Sequence, residues 1–364
     1  MRKNDTKTKT TGFRYKVVLE AGVLKETGSA LNRLFSSRRA ILVSDNKVFP
    51  LYGEEILSSL KAENWIIEPV LIRPGERSKT LRGASRLYDA AVEFGLDRGS
   101  PVIALGGGVV GDLAGFAAAT YMRGVPLVML PTSLLAQVDS SVGGKVAVNH
   151  PRGKNIIGSF YHPSLVLIDP LVLKTLPRRQ LKAGLAEVIK YGIIADPSFF
   201  DYLEESISLL LRGDSKALIK AIAGSVRTKK QVVEKDEFEG DYRRILNFGH
   251  TIGHALEAAT AYKTYLHGEA VLIGMYTAVE LAHLLEMLKE DEKNRIQYLL
   301  KKIGIKKPPS DLTAEMVIDK LRQDKKRRDD DLIFVLPSTI GKVSMMAVKE
   351  IQLIRHVIDE YLGC

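Results

Sequence analysis

Three of the chain's seven histidines, His250, His254 and His267, fall within eighteen residues, and the first two stand four apart in "LNFGHTIGHALE". Positions i and i+4 of a helix project in nearly the same direction, so two imidazoles spaced this way can reach one target. A histidine capping a core helix, or a pair of solvated surface rings, would produce the same spacing; the clustering with His267 favours a shared cation. The one cysteine is Cys364, so no intrachain disulfide can form and a metal site must be built from His, Asp or Glu. In "GLAEVIKYG", Glu187 and Lys190 stand at i, i+3, which an intrahelical ion pair explains. Glu187 is also flanked by apolar residues, and a carboxylate on an apolar face calls for a strong partner such as a cation. With two of the three histidines it makes a three-ligand site open at a fourth position, the arrangement of a catalytic zinc. His267, on the turn before a long helix in "LHGEAV", is suited to face the helix that bears His250.

A second constellation is rich in glycine. In "VIALGGGVVGDLAG", Gly106, Gly108 and Gly111 fit G-x-G-x-x-G between a strand and a helix, where backbone N–H groups can approach a pyrophosphate. A tight strand-to-helix turn needs the same glycines. The match departs from the standard dinucleotide template: it follows the third or fourth strand, and the next strand, "VPLVMLPT", lacks the acid that would hold a ribose. Asp45 and Asn46 in "VSDNK", and Glu76 and Lys79 in "PGERSKT", are placed to supply that contact. The stretch "QVDSSVGGKVAVNHPRGKNIIGSF" spaces Asp139, Lys145, Lys154 and Asn155 among glycines and reads as a long loop, a form that more often carries function than not. A nucleotide cradle and an open metal site together suggest metal-assisted oxidation of an alcohol by a nicotinamide.

These residues have to be positioned by a chain of 364 residues, long enough for two domains, with the 45% apolar and 26% charged composition of an ordinary globular protein. From about Phe13 to Asp169, short β-branched runs such as "AILVSD", "WIIEPVLI" and "PVIALGG" alternate with helical segments, which argues for a largely parallel sheet covered on both faces. Beyond residue 180 the pattern is that of amphipathic helices, with "LIFVLPSTIGKVSMM" as a short hairpin or loop. The expected fold is an α/β, doubly wound, Rossmann-like nucleotide-binding domain over 13–178 and an all-α metal-bearing domain over 179–364, preceded by a disordered basic tail over 1–12. A cleft between two such halves is the default ligand site. No apolar run reaches eighteen residues and the first residues lack the apolar centre of a signal peptide, so a cytoplasmic protein without membrane partners is expected. The formal charge of +10 is spread along the chain, and its densest run, "DKKRRDDD", carries its own aspartates. That distribution suits attraction of a small, multiply charged anion better than nucleic acid.

The motifs "PGERSKT", "ALGGGVVGDLAGFAAATYMRG", "PTSLLAQVDSSVGGKVAVNHPRGKNIIGSFYHP", "GLAEVIKYG", "DEFEGDYRRILNFGHTIGHALE" and "HGEAV", in this order, resemble those of the 3-dehydroquinate synthase family, over almost the whole chain beyond the basic tail. The resemblance implies an NAD-dependent, zinc- or cobalt-requiring homodimeric phosphorus–oxygen lyase of the shikimate pathway. Such an enzyme converts 3-deoxy-D-arabino-heptulosonate 7-phosphate (DAHP) to 3-dehydroquinate and phosphate. In the family's sequence of events an alcohol is oxidised, phosphate is eliminated, the ketone is reduced by the same nicotinamide, and the ring opens and recloses by an aldol step. By the same resemblance Glu187, His250 and His267 are the metal ligands, while His254 faces substrate near its phosphate. Asp139, Lys145, Lys154, Asn155, Lys190, Lys229, Glu239, Arg243 and Asn247 match active-site positions. Among them Lys145, Asn155 and Asn247 suit phosphate, and Lys229 and Arg243 suit a carboxylate. Arg123, in "YMRG", matches an arginine that reaches the partner subunit's site. For NAD the matches are Asp45, Asn46, Glu76, Lys79, Gly107, Gly108, Asp112, Thr132 and Thr175, with Asp139, Lys145 and Lys154 also near the cofactor. Ser133 stands where the family commonly has a second threonine and keeps the hydroxyl. An acidic run replaces the usual glycine-containing turn after "DKK", which leaves the contribution of Lys325 or Lys326 to phosphate binding open. Related sugar-phosphate cyclases and metal-dependent polyol dehydrogenases are the rival readings within the enzyme class. A basic nucleic-acid-binding protein and a metal-storing scaffold are the rivals outside it.

Overall fold

A computed structural model describes residues 15–328 and 332–363, the side chains of 324–328 excepted. The expected basic tail, Cys364 and the side chains of Lys325 and Lys326 thus lie outside the described residues. The chain divides into two compact units, with the break between Leu176 and Pro177.

The first unit holds β1 (Lys16–Leu19), α1 (Thr27–Asn32), β2 (Arg39–Asp45), α2 (Phe49–Ala62), β3 (Ile66–Ile72), α3 (Leu81–Glu93), β4 (Val102–Gly106), α4 (Gly108–Thr120), β5 (Leu127–Pro131), β6 (Lys145–His150), β7 (Gly153–Phe160) and β8 (Leu165–Ile168). Six of these strands form one sheet in the order β1-β8-β5-β4-β2-β3, every pairing parallel. The continuously apolar strands β4, β5 and β8 are buried along their whole length, as expected of parallel strands covered on both faces. β3, with Pro69 inside it, lies at the edge, where a missing N–H costs no ladder bond. Leu42, Ile103, Leu105, Val128 and Leu130 pack with Leu31, Ile56, Leu60 and Trp65 into the core. The order places the reversal between β2 and β4: β3 lies outward of β2, whereas β5 continues on the other side of β4. Doubly wound sheets bind ligands outside the carboxyl ends of the strands that flank such a reversal. Asp45 and the triple glycine close those two strands.

The stretch from Asp139 to Phe160, read from the sequence as a loop, is mostly ordered backbone. One π-helical turn covers Ala136–Ser140, and β6 and β7 form a separate antiparallel hairpin. β7 is exposed along most of its length and rich in polar residues and glycine, so it carries no apolar alternation to announce a strand.

The second unit holds α5 (Arg178–Ala195), α6 (Pro197–Arg212), α7 (Ser215–Lys235), α8 (His250–Ala259), α9 (His267–Leu284), α10 (Glu290–Ile303), α11 (Ala314–Arg328), β9 (Ile333–Thr339), β10 (Lys342–Ala347) and α12 (Ile351–Leu362). It is mostly helical rather than all-α, because β9 and β10 pair antiparallel. Two of its helices begin at aspartate caps. Asp196 accepts from Phe199 N with Pro197 following it, and Asp214 accepts from Ala217 N. No helix among the described residues is long and apolar enough to cross a membrane.

α9 is clasped by α5 and α8 at glycines. A Cβ on Gly268 would stand 1.9 Å from the Ala183 carbonyl of α5, and one on Gly274 would stand 1.9 Å from the Gly249 carbonyl. Neither contact can yield by rotating a side chain, since backbone meets backbone. Gly268→Ala is therefore expected to push α9 from α5 and destabilise the protein by about 1–3 kcal/mol. An unchanged denaturant midpoint would show that the two helices are not held at this point.

Candidate metal and nucleotide sites

α5 carries Glu187 on a face with no exposure to solvent, and Lys190 one turn on is 2% exposed. Lys190 Nζ abuts Glu187 Oε2 as the i, i+3 ion pair, yet neither carboxylate oxygen accepts a directed hydrogen bond. The other oxygen, Oε1, faces two imidazoles, with His250 Nε2 at 3.8 Å and His267 Nε2 at 3.7 Å. His250 opens α8 and His267 opens α9, so the close packing of α5, α8 and α9 brings the three groups together.

The state of both rings follows from what lies behind them. His250 Nδ1 stands 3.1 Å from the Phe248 carbonyl, and His267 Nδ1 stands 3.1 Å from Glu257 Oε2. Those partners only accept, so each Nδ1 carries a proton and Nε2 is the nitrogen turned toward Glu187 and the one that would ligate. Burial, then the charges of Lys190, His254 and His267, hold His250 well below the usual imidazole range, against the Phe248 carbonyl. It is neutral at neutral pH, the form that ligates. Ligand atoms in a tetrahedral zinc site with bonds of about 2.1 Å lie roughly 3.4 Å apart. Three electron-pair donors at 3.7–3.8 Å, one of them a buried carboxylate without hydrogen bonds, fit a divalent cation. His254 is exposed, and its ring nitrogen lies within 4.8 Å of those of His250 and His267. Distance alone would admit it as a ligand; the convergence on Glu187 and the backing of His250 and His267 favour the set Glu187, His250 and His267.

Several supporting groups have no counterpart in the sequence reading. Glu257, 3% exposed, backs His267. Glu269 accepts from Leu266 N at 2.9 Å and receives Arg179 through two bonds, Nε to Oε1 at 2.6 Å and Nη2 to Oε2 at 2.7 Å, which pins the start of α9. A glutamate two residues after His267 in "HGEAV" is an N-terminal capping signal that the sequence does display. Nothing local marks Glu257 as a partner of His267.

The remaining residues of the second-unit set fall into two groups. Lys229 and Arg243 are 6% and 1% exposed, and α7 and the 3-10 segment Tyr242–Asn247 that bear them both pack on α5. Asn247 Nδ2 donates to Glu239 Oε1 at 3.2 Å. The segment from Asp236 to Arg243 is folded around one carboxylate. Asp236 accepts the N–H groups of Gly240, Asp241 and Arg243 at 2.8, 2.9 and 2.9 Å.

In the first unit α4 starts at Gly108 without a side-chain cap, and Cβ atoms on Gly107 and Gly108 would meet Ser133 Oγ at 3.4 Å and Ser140 Oγ at 3.2 Å. The first-turn N–H groups thus stay open to a pyrophosphate. Thr132, 6% exposed, donates its N–H to the Gly106 carbonyl at 2.9 Å. Asp45 Oδ1 is engaged by Lys47 N and Val48 N at 2.8 and 3.0 Å, so it closes its own turn as well as flanking the cradle beside Asn46. Thr175 Oγ1 bonds Tyr52 OH. Lys79, 4% exposed, donates to Asp112 Oδ2 at 2.5 Å and to Asn155 Oδ1. Burial raises the Asp112 carboxyl, Lys79 pulls it down, and the Glu76 and Asp139 carboxylates push it further up, so all four share one electrostatic neighbourhood. Lys145 opens β6 and Lys154 lies early in β7. Among the described residues, three of the eight non-glycine residues with positive φ are Arg123, Asn155 and Glu239, at 65°, 56° and 61°, and strain of this kind concentrates at functional positions.

The chain matches the family model described as 3-dehydroquinate synthase N-terminal over residues 69–183 and that described as 3-dehydroquinate synthase C-terminal over 184–327. It is 51% identical to a 3-dehydroquinate synthase of Pelotomaculum thermopropionicum over 350 residues, 96% of this chain and 93% of the relative. It is 50% identical to a 3-dehydroquinate synthase of Desulforamulus reducens over 338 residues, covering 92% of this chain and 94% of the relative. Among solved structures, 2-epi-5-epi-valiolone synthase from Streptomyces hygroscopicus with NAD+ and Zn2+ bound superposes with a TM-score of 0.88 at 30% identity, over 97% of this chain and 98% of the other. 2-Deoxy-scyllo-inosose synthase complexed with carbaglucose-6-phosphate, NAD+ and Co2+ does so with a TM-score of 0.88 at 30% identity, over 96% and 97%.

Two outcomes are expected from this geometry. His250→Ala should lose bound metal in elemental analysis while His254→Ala retains it, and Glu257→Ala should weaken metal binding about 10- to 100-fold in chelator competition. Equal metal content in the wild type and the His250 variant would refute the ligand set. Separately, the three N–H donors from Arg243, Asp241 and Gly240 hold the Asp236 carboxyl below its ordinary value of 3.8. The order it imposes is complete above 3.8, the unfolded value, and is lost as pH falls through the lower folded value. Asp236→Asn should therefore expose the Gly240, Asp241 and Arg243 amides to hydrogen exchange at neutral pH, where the wild type protects them. Equal protection in both would mean that the carboxylate does not shape this segment.

Proposed function

The chain belongs to the 3-dehydroquinate synthase family, and from that membership we propose that it converts DAHP to 3-dehydroquinate with release of phosphate, as an NAD- and divalent-metal-dependent phosphorus–oxygen lyase. The observation that carries the reading is the convergence of His250 Nε2 and His267 Nε2 on the buried Glu187 Oε1. Glu187, His250 and His267 hold the metal. When bound, a divalent ion lowers the pKa of a substrate alcohol. Gly107, Gly108 and the start of α4 hold the NAD pyrophosphate, with Asp45, Asn46, Glu76, Lys79, Asp112, Thr132, Ser133 and Thr175 around the nucleotide. When bound, NAD takes up a hydride and returns it within the same cycle, so it is not consumed.

The chain's own groups handle the substrate's charges. Lys229 and Arg243, both withdrawn from water, suit a carboxylate, because a desolvated cation gains most from a fixed anionic partner. Asn247, oriented by Glu239, and His254 suit the phosphate within the second unit, and Lys145 and Asn155 suit it within the first. Lys190, ion-paired with Glu187, Asp139 and Lys154 complete the set in this proposal, and Arg123 serves the partner subunit of a cytoplasmic homodimer.

Phosphate release measured with DAHP tests the proposal. Activity should depend on both added NAD and metal, and omission of either should abolish it. Glucose 6-phosphate, which has no carboxylate, should not be turned over. Phosphate release from glucose 6-phosphate but not from DAHP would assign the chain to another sugar-phosphate cyclase activity.

A further inference from the structure

Asn149 belongs to neither set of ligand residues, yet its backbone and side chain touch both. It lies near the end of β6, where the register of the β6–β7 ladder shifts between Val148 and His150. Asn149 there stands opposite three residues of β7, Lys154 to Ile156, so the ladder is interrupted at this point and its groups can be aimed elsewhere. The Asn149 N–H accordingly donates to the Lys79 carbonyl at 2.8 Å, and Asn149 bridges Thr80 in parallel, outside any named sheet pairing. Its side chain uses both ends. Nδ2 donates to Glu76 Oε1 at 2.7 Å and Oδ1 accepts the Asn155 N–H at 2.9 Å. A carboxylate only accepts and a backbone N–H only donates, so one orientation of the amide satisfies both. Asn155, held in the left-handed region at φ 56°, closes the ring by accepting from Lys79 Nζ.

We infer that Asn149 is a positioning residue that couples the nucleotide loop to the phosphate arm: one amide fixes the Glu76 carboxylate on one side and the strained Asn155 backbone on the other. No other side chain of similar size offers a donor and an acceptor in this separation. Aspartate keeps the acceptor for Asn155 but sets a second carboxylate against Glu76. The inference rests on the reading that Glu76 meets the nucleotide, and the test separates the two.

NAD binding by calorimetry, on the metal-loaded protein, is compared for the wild type, Asn149→Asp, Glu76→Gln and the double variant. Asn149→Asp should weaken NAD binding roughly tenfold or more. In the Glu76→Gln background the same change should cost no more than about twofold, because the amide introduced at position 76 can donate where the Glu76 carboxylate could only repel. With DAHP as substrate, Asn149→Asp should raise KM more than it lowers kcat, since it misplaces Asn155 without touching the reacting centre. An equal penalty in both backgrounds, or wild-type NAD affinity in Asn149→Asp, would overturn the inference alone. Wild-type NAD affinity in Glu76→Gln would overturn the nucleotide reading of Glu76, and the inference with it. A lowered thermal midpoint shared equally by Asn149→Asp and the double variant, with no rescue of NAD affinity, would reduce Asn149 to a structural residue and overturn the inference too.

Discussion

Glu187 Oε1, itself withdrawn from water, faces Nε2 of His250 and of His267 across 3.8 and 3.7 Å. Without a cation, three electron-rich atoms pointed at one another are a repulsive arrangement, and a buried carboxylate lacking hydrogen bonds is a costly one. Lys190 offsets part of the charge through Oε2 and leaves Oε1 to its other partners. Much of the second unit serves to hold this arrangement. The glycine contacts bring α9 against α5 and α8, Phe248 and Glu257 fix which nitrogen of each ring carries the proton, and Arg179 with Glu269 pins the first turn of α9. The arrangement stores electrostatic demand, and a divalent ion is the species that meets it.

The first unit answers a different constraint. A parallel sheet has to be buried on both faces, which leaves the carboxyl ends of its strands as the one place where open backbone groups can meet a ligand. At the reversal between β2 and β4 the triple glycine removes the side chains that would block the start of α4. Lys79 then offsets the carboxylates around Asp112, so that Asp112, Glu76 and Asp139 can coexist at short range. The hairpin of β6 and β7 joins this region by packing on α4 and by single-residue bonds rather than by pairing with the main sheet. That makes the interruption of the ladder opposite Asn149 more consequential than that residue's modest burial suggests.

Comparison of neighbouring residues shows why some of this was legible in the sequence. His250 and His254 share a helical face whatever the fold, and Glu187 on an apolar helix demands a partner, so a common target for imidazoles and a partner for the carboxylate could be anticipated from local spacing. The glycines of α4 likewise announce themselves, because a tight strand-to-helix turn and a close backbone approach both call for them. The strands of the hairpin could not be read, since β7 is exposed and polar and has no core face to impose a pattern. Nor could Glu257, Asp236 and Asn149, whose partners are set by close packing and by backbone turns.

The order of the main-sheet strands and the helices, the glycine-rich turn at the start of α4 and the clustering of His and Glu were determined by the sequence itself, because each rests on a periodicity or residue chemistry that operates within a few residues. Which imidazole nitrogen faces the carboxylate, which lysine bridges an aspartate and an asparagine and which asparagine ties two loops together were decided only by the tertiary structure. Those outcomes depend on distances of 2.5–3.8 Å between residues up to 80 positions apart. Separations of that kind are set by the packing of whole helices and strands, which no local pattern encodes.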